Sequence, residues 1–491
     1  MSDRFIDITS ENIDSEHLCC IIRTKKPHPG VETKRAWLRD RVGEGHVFRK
    51  LDEKACVFIE YAPLESAWVT IVGDNYIYIY CLWVLSENKG KGYGRRLMES
   101  CITDAKADSY KYPCIFVHGI LGYGDNDKLN SVTPYWGMQY KEDLMKSLNA
   151  RGYDCHAASV GPLSSAWDRA CELYAQLAGT VVDYGAAHSA EHHHERYGRS
   201  FVGKALIDTF GKTDKNGNII KINLFGHSFG GATTRLFTYI LANGAPEEVA
   251  AGGDVSEFFK GGKGDYVNSV ISIAAPHNGT VSGNVGIAVY HGEYIAAMIA
   301  NVAGMAGSNY LDLKLDQFGL TRAPGEGKAS FNLCGILNYA LSNDNCLYDL
   351  TLHGAQELNA KIGAVENVYY FSYACCGTEP SADGRFQNPT DVLGSMAGTG
   401  WLIGHIAGIT VDGVKLEGDW LRNDGAVPVK SALYPEGEKH EFIVDHKGAY
   451  ERGVWYVYPV VENANHSTLL GSKTESYIDL YMNQIDIVNA K

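Results

Sequence analysis

The period of apolar positions changes several times along this chain, and each change marks an element. From Tyr76 to Val84 the residues are β-branched and aromatic, whereas Leu97, Cys101, Ile102 and Ala105 recur at helical spacing, so a strand, a loop and a helix are predicted in that order. Tyr112 to Val117 is a short continuous apolar run, the pattern of a buried strand. Ile219 to Phe225 is a second, and a helical pattern from Thr233 to Asn243 follows it. An amphipathic helix is predicted around Asp168, its apolar face carrying Trp167, Cys171, Tyr174 and Ala178. Ser282 to Gly307 has helical spacing but is unusually apolar, with Val285, Ile287, Val289, Met298, Ile299 and Met305. Strand, loop and helix make the part of the chain up to about Asp108 a small α/β unit.

The pattern also divides the chain. At 491 residues it exceeds one ordinary core. Two domains are expected, 1–108 and 109–491, because the first is a small α/β unit whose last helix leads straight into the Tyr112 strand. With 45% apolar and 21% charged residues, the chain can bury a core. A net charge of −14 without a Lys/Arg cluster argues against nucleic acid and against an acidic lipid surface. The first twenty residues have no basic start followed by an apolar run, and nowhere are there eighteen consecutive apolar residues. No transmembrane segment is expected, and a cytoplasmic location follows for the chain as written. The twelve cysteines are scattered without a C-x-x-C pairing and read as reduced, mostly buried thiols.

Candidate chemistry begins in the loop after the Tyr76 strand, which holds Lys89, Gly90, Lys91, Gly92 and Gly94. Glycines let backbone amides approach a phosphate at a helix N-terminus. The arrangement resembles the pyrophosphate loop of the GNAT acetyltransferases, with Lys89 in place of the usual first Gln or Arg. That resemblance covers about residues 1–107 and stops where the fold should continue with further strands. It implies a partial GNAT-like domain with Lys89, Gly90, Gly92 and Gly94 as a coenzyme A loop, and binding without catalysis.

The second domain holds Gly226-His227-Ser228-Phe229-Gly230, a G-x-S-x-G between a predicted strand and a predicted helix. A serine on that turn is lifted out of the sheet, and the amide of Phe229 stands at a helix N-terminus, where it can stabilise an oxyanion. A second amide donor is expected after an earlier strand, and Ile120 in His118-Gly119-Ile120-Leu121-Gly122 is the candidate. His118 is assigned to fixing that loop. Acid and base should follow the serine in the order acid, then histidine. Asp412, Glu417, Asp419 and Asp424 are the acids at the right distance, and His440, His446 and His466 compete as base; the small residues around His466 and its spacing favour it.

The segments HGILGYG, YWGM, VGPLSSAWDRACELYAQLAGTVVDYGAAHSAEHHHERYGR, GHSFGG, IAAPHNGT, KLDQFGL and WLRNDGAV occur in this order. Together they resemble the zinc-containing bacterial lipases typified by staphylococcal and thermophilic Bacillus-type enzymes, over about residues 112–489. The resemblance implies an α/β-hydrolase fold with a helical lid and a zinc-bearing inserted subdomain. It makes Asp424 the acid, completing a Ser228, Asp424, His466 triad with Ile120 and Phe229 as oxyanion donors. It also makes Asp168, His188, His194 and Asp316 the ligands of a structural zinc ion, with His192 and His193 as competitors. Ser282 to Gly307 falls at the lid position, though its pattern also fits a buried helix. Phe229 stands where these lipases commonly have Gln, which points to a different acyl-chain entrance. A calcium site is not expected: Thr468 and Lys473 occupy the places of two acidic ligands.

The function implied is carboxylic ester hydrolysis, in first place of triacylglycerols, with lipid or ester as substrate and transient contact with a lipid–water interface through the lid. A short-chain esterase or phospholipase is the alternative within hydrolases. An acetyl-CoA-binding module with the hydrolase domain as scaffold is the alternative of another class. Relatives of the lipase part are generally secreted, which sets a second expectation beside the cytoplasmic one.

Overall fold

The structure is a computed structural model. It describes residues 4–18, 28–53, 56–64, 66–71, 76–109, 112–137, 142–214, 217–284, 312–320, 333–471 and 476–489. The chain divides into two compact units, Met1–Lys111 with Asn489–Lys491, and Tyr112–Val488. The division falls after Lys111 rather than after Asp108, because the helix Tyr93–Ser109 runs through the expected boundary.

The first unit is an antiparallel sheet of four strands in the order Phe5–Asp7, Val47–Leu51, Val57–Pro63, Ile77–Val84. Val57, Ile59 and Tyr61 alternate to one face, where they pack with Leu97 and Cys101 of the helix Tyr93–Ser109. Phe58 points to the other face and joins Leu38 of the helix Pro29–Val42. The period-2 alternation of the central strand thus supplies both small cores.

In the second unit, seven strands form one sheet in the order His440–Phe442, Trp455–Val457, Tyr369–Tyr373, Val267–Ile273, Ile222–His227, Cys114–Val117, Cys155–Ala158. Every pairing is parallel. Ile222–His227 and Val267–Ile273 are buried throughout, as a parallel sheet covered on both faces requires. Ile115, Val117, Leu224 and Val270 join one face to the helices Ala166–Ala178 and Gly230–Asn243. On the other face Phe116 and Phe225 stack at 4.6 Å and meet Trp136 and Tyr481, the latter from the C-terminal helix Ile478–Asn489.

Register sets the site. Val117 pairs with Gly226, and His227 with Ile273, so three strands end at one level and their following loops converge there. A second feature leaves the sheet: the strands Val181–Asp183 and Tyr197–Ser200 pair antiparallel around the helix Ala186–His192. Among the described residues no helix is long and apolar enough to cross a membrane, and none of the ten described cysteines is in a disulfide. The apolar segment expected as a lid lies outside the described residues from Val285 onward.

Candidate active site and metal centre

Ser228 occupies the turn between Ile222–His227 and Gly230–Asn243 with φ of 55°, a left-handed conformation rarely taken by a residue with a side chain. The flanking glycines are sterically required. A Cβ on Gly226 would lie 2.5 Å from the Gly230 carbonyl oxygen, and one on Gly230 would lie 2.1 Å from that of Val117. A Cβ on Gly119 would likewise stand 2.6 Å from the Ser228 Cβ.

Three of the expected residues come together here. His466 Nε2 lies 2.8 Å from Ser228 Oγ, and His466 Nδ1 lies 2.8 Å from Asp424 Oδ2. Asp424 is fully buried; its Oδ1 accepts the amides of Ala426 and Val427 at 2.9 and 2.7 Å, and its carbonyl accepts the amide of His466 at 2.9 Å. An ionised carboxylate only accepts, so Nδ1 carries the imidazole proton and Nε2 is left to accept from the serine hydroxyl. The competing acids lie elsewhere: Asp419 pairs with Arg422, Glu417 with Lys415, and Asp412 with Asn284. Exposed His440 stacks on Tyr434, and His446 faces Glu441.

The amides of Ile120 and Phe229 donate to no backbone acceptor among the described residues, so both are free to serve an oxyanion. What holds their loops was not visible in the sequence. Arg169, fully buried in the helix Ala166–Ala178, donates to the carbonyls of His118 and, at 2.8 Å, Gly161, and to Thr233 Oγ1 at 2.9 Å. Its guanidinium also sits 5.1 Å over the Phe229 ring. One charge therefore ties the loop after Val117 to the helix after Ser228, and burial pulls its pKa down to about 10. His118 is buried with its ring nitrogens 2.8 and 3.1 Å from the carbonyls of Gly119 and Val160, away from the serine. The Phe229 side chain is fully buried in the main core.

The second cluster lies beside the antiparallel excursion. Asp168, His188, His194 and Asp344 each present one donor atom, all within 4.8 Å of one another. His188 Nε2 stands 3.3 Å from Asp168 Oδ1 and from Asp344 Oδ1, and His194 Nε2 stands 3.2 Å from Asp344 Oδ2. Four of the inward-facing atoms, Asp168 Oδ1, His188 Nε2, His194 Nε2 and Asp344 Oδ2, are buried with no hydrogen-bond partner. Burial raises the Asp168 carboxyl, and repulsion from Asp344 adds to the shift, as two acids enclosed without a cation require. Two imidazoles and two carboxylates converging on one point form a donor set suited to a divalent ion such as zinc. His194 Nδ1 lies 2.9 Å from the carbonyl of Glu195, and Gln317 Nε2 donates to Asp168 Oδ2 at 2.5 Å, so the outer atoms are braced.

Asp316 is not in this set, and its assignment as the fourth ligand is corrected. Its carboxylate is held by Arg199, with Nη2 2.8 Å from Oδ1, and the same guanidinium grips Asp312 at 2.8 Å. The residue that reaches inward from that turn is its neighbour Gln317. The second carboxylate of the set comes instead from Asp344, in Ser342-Asn343-Asp344-Asn345 ahead of a helix capped by Asn345. His192 packs 4.5 Å from the His188 ring, and His193 takes a left-handed φ of 57° at the helix end; neither contributes a donor atom.

In the first unit, Gly90 and Gly92 both have φ of 79°, and a Cβ on either would meet nothing within 4 Å. They are glycines for backbone reasons, because the chain must reverse before the helix that starts at Tyr93.

The chain matches the family profile described as "Lipase-like, C-terminal domain" over residues 110–483. It belongs to that lipase-like family. The Acetyltransferase (GNAT) family profile matches residues 13–118. Its last part overlaps Cys114–Val117, a strand that pairs with Cys155–Ala158 and Ile222–His227 in the lipase-like sheet. Lipase 2 of Staphylococcus aureus is 34% identical over 375 residues, covering 74% of this chain and 50% of its own length. A lipase of Staphylococcus epidermidis is 34% identical over 378 residues, covering 75% and 51%. The chain thus spans about half the length of the curated relatives it matches. Among solved structures, Staphylococcus hyicus lipase is 31% identical with a TM-score of 0.64, covering 77% of this chain and 95% of its own. EstA from Clostridium botulinum is 31% identical with a TM-score of 0.65, covering 78% and 88%.

Proposed function

We propose that the lipase-like domain hydrolyses carboxylic esters through an acyl-enzyme, with Ser228 as nucleophile, His466 as base and Asp424 as its orienting acid. The observation that carries this is the unbroken line Ser228 Oγ, His466 Nε2, His466 Nδ1, Asp424 Oδ2, with 2.8 Å at both hydrogen bonds, beside two unengaged amides. Ser228 Oγ attacks the ester carbonyl while its proton passes to His466 Nε2. The carbonyl electrons move onto an oxygen held by the amides of Ile120 and Phe229. Collapse breaks the bond to the alcohol, which leaves with the proton from His466. Water repeats the sequence on the acyl-serine, returning the serine proton and releasing the acid.

Triacylglycerol is the substrate class we assign first, on the likeness to proteins named lipases. Short-chain esters or phospholipids are the second reading. The apolar segment 282–307 supports lipid contact by its sequence alone. Asp168, His188, His194 and Asp344 would hold zinc, and a shell filled by four protein ligands serves structure rather than chemistry. A calcium site remains unexpected, since Thr468 Oγ1 is engaged with Asn465, whose amide it accepts at 2.8 Å. The deciding experiment is an ester chain-length profile of the wild type beside Ser228→Ala. The variant should fold and lose hydrolysis by about 10⁴-fold or more. Near-wild-type turnover would end the assignment.

A further inference from the structure

Two buried residues outside the triad join the oxyanion loop to the catalytic histidine. The amide of Gly119 donates to Tyr135 Oη at 2.9 Å. Tyr135 Oη lies 2.6 Å from His227 Nδ1, and His227 Nε2 lies 2.9 Å from the carbonyl oxygen of His466. Both residues are buried, and the tyrosine ring is fixed by Tyr123, Trp136 and His118 at 5.6, 5.6 and 5.7 Å.

Each proton in this chain has one place. A carbonyl can only accept, so His227 Nε2 carries a hydrogen. Burial, with the nearby His466 adding to it, holds the His227 pKa down to about 3, so the ring is neutral and Nδ1 keeps its lone pair. Nδ1 therefore accepts the Tyr135 hydroxyl, and the phenol oxygen is left to accept from Gly119. The bonds run in one direction, from the amide of Gly119 to the carbonyl oxygen of His466.

We infer that Tyr135 and His227 are positioning residues that set the oxyanion loop and the catalytic imidazole in register with Ser228. Their placement gives the reason. His227 is the chain neighbour of Ser228, so a bond from its ring to the His466 carbonyl fixes the base relative to the nucleophile. On its other side the His466 backbone is gripped through its amide by the Asp424 carbonyl at 2.9 Å. Gly119 is the chain neighbour of Ile120, so the bond from its amide to Tyr135 orients the donor that follows. The inference rests on the ester-hydrolase reading of Ser228.

The test counts competent sites with a p-nitrophenyl phosphonate and measures kcat and KM on p-nitrophenyl butyrate per titrated site. Tyr135→Phe keeps the ring and deletes one hydroxyl. His227→Gln keeps an amide donor near the place of Nε2, whereas His227→Asn keeps an acceptor near Nδ1 and loses the donor. We expect Tyr135→Phe and His227→Asn to lower kcat per site by about tenfold with KM within about twofold of wild type. His227→Gln should retain more activity than His227→Asn, and the Tyr135→Phe/His227→Asn double variant should lose less than the product of the single losses, because one chain is broken twice. The low-field His466 Nδ1 proton, read by NMR without substrate, should shift in both single variants. A kcat per site that is unchanged, with only the number of titratable sites reduced, would overturn the inference. So would single losses that multiply. A wild type that hydrolyses no ester but shows the resonance shift would sink the hydrolase reading and leave the positioning role standing.

Discussion

Asp344 Oδ2 faces His194 Nε2 at 3.2 Å, and neither atom has a hydrogen-bond partner. Asp316, the acid that family likeness singles out, is held by Arg199 instead. The two acids can therefore be separated by experiment. Asp344→Ala is expected to abolish stoichiometric zinc and lower the Tm by several degrees, because an ion bound only by the folded state stabilises it. Asp316→Asn should keep one zinc per chain and cost about 2 kcal/mol through the weakened guanidinium pair. Metal analysis of both variants decides; zinc lost from the Asp316 variant and kept by the Asp344 variant would reverse the assignment.

The same chelation logic distinguishes ions. A strong zinc chelator should lower Tm and activity together, with zinc restoring both, whereas a calcium-selective chelator should change neither. A large calcium-dependent rise in Tm would contradict this reading.

Asp424 fixes the imidazole tautomer, and its second oxygen is already taken by two amides. In Asp424→Asn the side-chain oxygen can stay with those amides while its NH₂ faces His466 Nδ1. The imidazole then has to place its proton on Nε2, the nitrogen that must accept from Ser228. A fall in kcat on the order of 10³–10⁴-fold is expected, with substrate binding little changed. Steady-state kinetics on a soluble ester provides the check.

For the first unit the expectation is binding without transfer. Gly92→Val, at φ of 79°, should remove any coenzyme A affinity of the full chain by straining the turn, since no neighbour blocks the new side chain. No acetylation of amines by the wild type is expected. Measured transfer, lost on Gly92→Val, would show that the partial fold is catalytic.

What could be read from the residues follows the range of the forces involved. Ser228 lies on a strand-to-helix turn whose local rule does not depend on distant parts of the chain, and His466 is favoured by chain order and its small neighbours, whereas Asp424 is singled out from the other acids by the family resemblance. Asp344 was missed because ligation is decided by which acid the tertiary fold turns inward, and Asp316 sits one residue from a side chain that does turn inward. Nothing in the helical pattern around Asp168 marks Arg169 for burial. Its burial is comprehensible only once the carbonyls of His118 and Gly161 are seen to converge on it. Tyr135, in the recognisable Tyr-Trp-Gly segment, carried no sign of its bond to a histidine 92 residues away. The sheet order was equally hidden, because long excursions separate strands that end up adjacent.

The last prediction concerns Glu172, which is buried beside the metal cluster and outside it. Its carboxyl accepts the amide of Gly161 and lies 3.1 Å from the Tyr184 hydroxyl. Burial raises its pKa from about 4.5 to about 8, with the charge of Asp168 as the next contribution. Between those values the native protein keeps a proton that the unfolded chain releases. The unfolded state then binds fewer protons, so stability falls as pH rises through that window and levels off above about 8. Glu172→Gln keeps the shape and cannot ionise. Its Oε1 can accept from Gly161, while its NH₂ can donate to Tyr184, whose hydroxyl can turn to Gln317 at 3.5 Å. Melting curves from pH 5 to 8.5 should show the variant gaining on the wild type as pH rises, with the two nearest in stability at pH 5. Zinc adds a second arm: a cation on Asp168 cancels part of the charge that raises Glu172, so the difference should be smaller in zinc-loaded than in zinc-free protein. A gap that does not change with pH would show that the buried carboxyl is ionised throughout, with its charge fully met by Gly161, Tyr184 and Arg169.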